Sequence, residues 1–132
     1  MATSTESWSA HTFDATTYAE LIRQARQAES HQRTWLALEA AHVVGQGQLK
    51  THLETHALML GLALRTRDWG EAAGQVLRLA LVPLGHLTGR LPLGNPGRST
   101  VGAFRPMPVR PELLALIEQA RAVRFPAGDR AR

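Results

Sequence analysis

The chain has no cysteine. That excludes disulfides, thiolate metal sites and cysteine nucleophiles together. Any metal site would therefore have to be built from histidine and carboxylate side chains. There is no run of about 18 apolar residues, so no membrane-spanning helix is expected. The first residues, Met1 to Ser9, are polar and hold no apolar leader segment, which points to a cytoplasmic protein. Aromatic residues make up only 5% of the chain, too few to interleave with basic residues as a nucleic-acid surface would. What is present suits one domain: 132 residues, 44% of them hydrophobic, enough for one buried core.

Acidic residues are missing from one stretch. Five arginines and no acid fall within 78–110: Arg78, Arg90, Arg98, Arg105 and Arg110. The net charge of +4 thus comes from a near-neutral first half and a basic second half. Lys50 is the one lysine, and arginine's planar fork suits carboxylate or phosphate recognition.

Apolar periodicity predicts an all-α fold of four to five helices. Residues 1–13 read as a flexible arm, 14–125 as one helical domain and 126–132 as a frayed tail. Asp14 or Thr17 can cap a first helix, Thr17 with Glu20 at capping-box spacing. A second helix is expected from about Gln32 to Val44, ended by Gly45-Gln46-Gly47. A third follows over about 48–66. A fourth starts at Asp68-x-x-Glu71 and stops near Val82, before Pro83 and Gly85. After a long Gly/Pro/Arg-rich loop over 84–110, Pro111 opens a last helix to about 124. Short connections make neighbouring helices antiparallel hairpins. Trp35 and Trp69 lie one tetratricopeptide period apart, but too few units follow for a solenoid. The hairpins would form either a closed four-helix bundle or a short TPR-like stack.

The polar residues that share helix faces carry the chemistry. Glu39, His42 and Gln46 fall on one stripe of the second helix. His52 and His56 stand one turn apart on the third, a spacing that lets two imidazoles hold one ion. A tight turn between these helices would bring His42 near both. Glu39, His42, His52 and His56 are thus candidate ligands for a divalent transition metal: zinc, iron, manganese or copper. Glu39 and His42 are also the candidate catalytic pair, and Gln46, Glu71 and Gln75 the groups that would orient ligands. The competing reading is a buried hydrogen-bond network that fixes helix packing. His11, His31 and His86 fall outside this cluster and read as surface or loop histidines. Gly94-Asn95-Pro96-Gly97-Arg98 offers glycines whose N–H groups could converge on an anion. Arg78, Arg90, Asn95, Arg98 and Arg105 are the candidate anion-binding residues.

Leu38-Glu39-Ala40-Ala41-His42-Val43-Val44-Gly45-Gln46, His52-x-x-x-His56-x-x-Met59, Glu71-x-x-x-Gln75 and Gly94-Asn95-x-Gly97 form an ordered set over roughly residues 15–120. In that set the chain resembles a small bacterial family of unknown function. The resemblance implies a single helical domain and no stated activity. Pro96 stands where that family usually has threonine.

Three functions are compatible with these residues. The first is a metal-binding protein, extending to a metalloenzyme that acts on an anionic small molecule. The second is a helical module for an acidic partner protein, with the His/Glu set structural. The third is metal-free acid–base catalysis. The apolar Leu/Ala helices also permit a homodimer.

Overall fold

The computed structural model describes residues 13–124. Five α-helices form: α1 (Ala15–Gln27), α2 (His31–Gly45), α3 (Leu49–Arg65), α4 (Trp69–Thr88) and α5 (Pro111–Arg124). No strand forms among the described residues, and no helix is long and apolar enough to cross a membrane. Of the expected arm only Phe13 is among the described residues, and the expected tail lies outside them.

Three helix starts are capped by side chains, which satisfy otherwise orphaned backbone donors. Asp14 accepts from the Thr16 and Thr17 N–H groups, Ser30 from Arg33, and Asp68 from Glu71. Thr17 is therefore inside α1, where Glu20 pairs with Arg23 and closes no capping box. Neither does the Asp68 box close completely, because the Glu71 carboxylate turns to other partners, described below.

α4 differs from expectation at its end. It runs through Pro83 to Thr88 and stops at Gly89, whose φ of 73° is left-handed and whose N–H reaches back to the Gly85 carbonyl. Pro83 lies on the solvent side of the helix. Inward-facing Val82 and Gly85 continue to pack past it, so tertiary contact overrides the local stop signal. The extra turn carries His86.

Helices α1 to α4 each pack on the next, and α5 folds back on α1 and α2; α4 touches neither α1 nor α5. The arrangement is an open stack and not a closed four-helix bundle. Its apolar core lies between α1, α2, the end of α3, and α5. Leu21, Val43, Val44, Met59, Leu113 and Ile117 there are fully buried. Burial of each such side chain contributes about 1.5–3 kcal/mol.

Helix α2 is central and is buried on both sides from Ala37 to Gly45. One side supplies Ala37, Leu38, Ala41 and Val44 to the core. Glu39, His42 and the following Gln46 are also buried, and all three bond to the segment 89–110. That segment has no helix or strand and lies across the polar residues of α2 and α4.

Candidate metal centre

Three imidazoles meet where α2, α3 and the long segment join. His42, His52 and His56 are all buried, between 1 and 3% exposed. The short turn after Gly45 makes α2 and α3 antiparallel, so position 42 faces 52 and 56. His42 Nε2 lies 3.0 Å from His52 Nε2 and 3.2 Å from His56 Nε2. One nitrogen from each ring lies within 4.8 Å of the others.

The outer nitrogens decide what these inner ones carry. His42 Nδ1 is 2.7 Å from the Asn95 carbonyl, which can only accept, so Nδ1 holds the proton. His56 Nδ1 is 2.8 Å from Gln75 Oε1. The Gln75 amide is fixed in that orientation because its nitrogen donates to Glu71 at 2.8 Å and to the Gly97 carbonyl at 3.0 Å. His56 Nδ1 is therefore also protonated. A neutral imidazole has one N–H and one lone pair. His42 and His56 consequently point two bare lone pairs at each other with no proton between them.

His52 does not resolve this conflict. Its Nδ1 lies 3.0 Å from His86 Nε2. If Nδ1 donates to His86, His52 Nε2 is a third lone pair. If His86 donates instead, His52 Nε2–H leaves the repulsion between His42 and His56 in place. Protonation is disfavoured as well. Burial, then the neighbouring rings, hold His42 well below its usual value. Burial and the adjacent His56 and His86 draw His52 down to about 3. Burial also draws His56 down to about 4, against the Gln75 hydrogen bond.

A metal ion fits this donor set. With zinc–nitrogen bonds of about 2.0–2.1 Å, tetrahedral ligands lie roughly 3.3 Å apart. Two edges of the nitrogen triangle, 3.0 and 3.2 Å, are close to that value, and the third is within 4.8 Å. Each ring has a partner on its outer nitrogen: the Asn95 carbonyl for His42, as metal-bound histidines commonly have, His86 for His52 and the Gln75 amide oxygen for His56. Beside His52 and His56, with Arg78, Arg90 and Phe104 on its walls, is a cavity of about 10 Å³ open to the centre of a water-sized sphere. That holds about one water.

The segment 89–110 is built to close over this cluster. Gly94 to Gly97 are all buried. The Gln46 amide donates to the Pro92 carbonyl at 2.8 Å and accepts from Gly94 N–H at 2.9 Å. Gly97 has φ of 87°, and a Cβ there would lie 2.8 Å from His42 Cδ2. Glycine is thus required twice over, for backbone conformation and for contact with the ring. The N–H groups of residues 94, 95 and 97 all bond within the protein, and the Asn95 and Gly97 carbonyls face the histidine network.

The sequence-predicted residues divide into three groups. His42, His52 and His56 come together, with Gln75 and Glu71 in line behind His56 and Gln46 holding the covering turn. Glu39 is not in the cluster. Its carboxylate pairs with Arg98 at 3.1 Å and with Arg110. Arg98 also pairs with Glu71 at 3.1 Å and lies 3.8 Å over the Trp35 ring. Burial opposes ionisation of Glu71. Hydrogen bonds from Ser99 and Gln75, with the Arg98 charge, outweigh it and hold the carboxyl below its usual range. Arg78 donates to the Gly74 and Val101 carbonyls, and Asn95 to the Gly102 and Arg105 carbonyls. Arg90 and Arg105 are exposed, as is His31, and His11 lies outside the described residues.

Two residues were missed. His86 touches His52, although the sequence placed it beyond the end of its helix. Arg110 pairs with Glu39 across 71 positions, a contact that no local pattern signals.

The family model described as a protein of unknown function, DUF3703, matches residues 11–117. The chain belongs to this family. The matched span contains all three clustered histidines, Gln46, Glu71, Gln75 and the 94–97 turn. No curated protein and no solved structure matches the chain.

Proposed function

We propose that this DUF3703 protein binds one divalent transition metal through Nε2 of His42, His52 and His56. The observation that carries the reading is the pair of opposed lone pairs on His42 and His56, each fixed by an acceptor-only partner on Nδ1. A cation among the three nitrogens turns that repulsion into coordination. Three neutral imidazoles favour zinc, copper or iron over the oxygen-preferring magnesium and calcium.

Three protein ligands and a water-sized space make an open site of the kind that polarises a bound water. His56 is backed by Gln75 and Glu71, which would raise its basicity as a ligand. Arg78 and Arg90 line the space, so an anion no larger than hydroxide is the ligand class that fits beside the metal. A metalloenzyme acting on a larger anionic molecule would need the Arg90 and Phe104 wall to move.

Metal analysis of full-length, tag-free protein after reconstitution and dialysis tests this reading. One equivalent is expected, and less than about 0.2 equivalents of every metal tried would refute it. Replacing His42, His52 and His56 together by alanine supplies the background value.

A further inference from the structure

We infer that two copies of this chain pair through the outer face of α4, antiparallel, about a two-fold axis near Leu77 and Ala80.

Helix α4 packs against α3 alone among the described helices. Its opposite face is apolar along its whole length. Trp69 is 64% exposed, Val76 and Leu77 55%, Leu84 51% and Leu87 84%. Ala73, Ala80 and Pro83 are exposed between them. From Ala72 to Gly89 the one Lys, Arg, Asp or Glu is Arg78, and it is buried. An acidic partner, which the basic second half would suggest, finds no exposed cation along this stripe before Arg90 at its C-terminal end.

The stripe is complementary to itself. With α4 reversed against a second α4, Ala73 faces Leu84, Ala80 faces Val76 and Leu77, and Trp69 faces Leu87. Ala73 and Ala80 receive the large Leu84, Val76 and Leu77, Trp69 meets Leu87 at each end, and each contact occurs twice, as an isologous interface requires. Leu84, Thr88, Arg90 and Phe104 line a groove of about 310 Å³ at the C-terminal end of α4. Trp69 projects from the N-terminal end. The two features lie on one helix about 27 Å apart, so Trp69 cannot reach the groove of its own chain. An antiparallel second copy brings each Trp69 to the other's groove. An aromatic side chain such as Trp69 buries about 150–250 Å², and the exposed Val76, Leu77, Leu84 and Leu87 extend the same face. A stable pair needs about 600–1,000 Å² from each partner. A contiguous apolar face exposed along a whole helix marks an association surface.

Sedimentation equilibrium of the full-length chain over about 1–100 μM tests the pairing, since a dimer's stability depends on protomer concentration. The expected mass is twice 14.4 kDa. Leu77→Glu should yield monomer with unchanged helical circular dichroism and metal content. Because the chain has no cysteine, the double variant Trp69→Cys/Leu87→Cys reports orientation cleanly. Under mild oxidation it should form covalent dimers, and Trp69→Cys alone should not. A monomer at every concentration, a dimer that survives Leu77→Glu, or cross-linking of Trp69→Cys alone would overturn the inference.

Discussion

Replacing Gly97 by alanine tests how closely the 94–97 turn is fitted to the histidines. The perturbation has two parts. At φ of 87° an L side chain is strained, and the new Cβ lies 2.8–2.9 Å from His42 ring atoms and 2.8 Å is well inside contact distance. Gly89 provides the control: its φ is 73°, and a Cβ there meets nothing within 4 Å. Gly89→Ala should therefore cost only the backbone term, about 1–2 kcal/mol. Gly97→Ala adds overpacking of about 1–3 kcal/mol, for a total of roughly 2–5 kcal/mol. Urea unfolding of the metal-free proteins measures both. The ring of His42 must shift to admit the Cβ, so zinc affinity by competition with a chelator should also fall, by about tenfold or more. Gly89→Ala should leave affinity unchanged. If the two variants are equally stable and bind zinc alike, the turn does not press on His42 and the proposed fit is wrong.

Three further outcomes follow from the same contacts. Glu39→Gln removes the carboxylate that Arg98 and Arg110 share, leaving Arg98 with Glu71 and Arg110 with Glu112, and should destabilise by about 1–3 kcal/mol, discounted from a fully buried pair because both arginines are partly exposed and keep a second partner. It should still bind one metal, and loss of the metal would restore Glu39 as a ligand. His86→Ala removes the partner of His52 Nδ1 and should weaken metal binding about 10–100-fold, with partial recovery in His86→Gln; unchanged affinity would show that His86 does not orient His52. Stability of the metal-free protein should fall from pH 6.5 toward pH 4. His52 and His56 sit near 3 and 4 when folded, below the usual 6.5, so the unfolded chain binds more protons in that window. Their contribution is complete above pH 6.5, and His56 alone accounts for on the order of 3 kcal/mol. A flat stability profile from pH 7 to 4.5 would contradict the buried, neutral assignment.

Much of the fold was legible because it is local. Asp14 and Asp68 stand just before apolar periodic runs, and both cap their helices. Gly45-Gln46-Gly47 ends α2, and the tight turn after it follows from the same residues. The meeting of His42 with His52 and His56 needed only helical period and one short connection. What was not legible depends on distant partners. Glu39 shares a stripe with His42, yet its side chain is claimed by arginines 59 and 71 positions away. His86 was hidden by Pro83, because a local stop signal cannot register that Val82 and Gly85 keep packing beyond it. The Gly94-Asn95-Pro96-Gly97 turn read as a source of N–H groups, whereas the groups it turns toward the histidine network are carbonyls. That polarity follows from the buried donors beneath it, His42 Nδ1 and Gln75 Nε2.

An anomalous-difference map from crystals of the zinc-loaded protein, collected at the zinc edge, addresses the central claim most directly. The account predicts one peak among the helices, about 2.0–2.1 Å from Nε2 of His42, His52 and His56 together. Zinc found only on other side chains, or no peak among these three nitrogens at full zinc saturation, would contradict it.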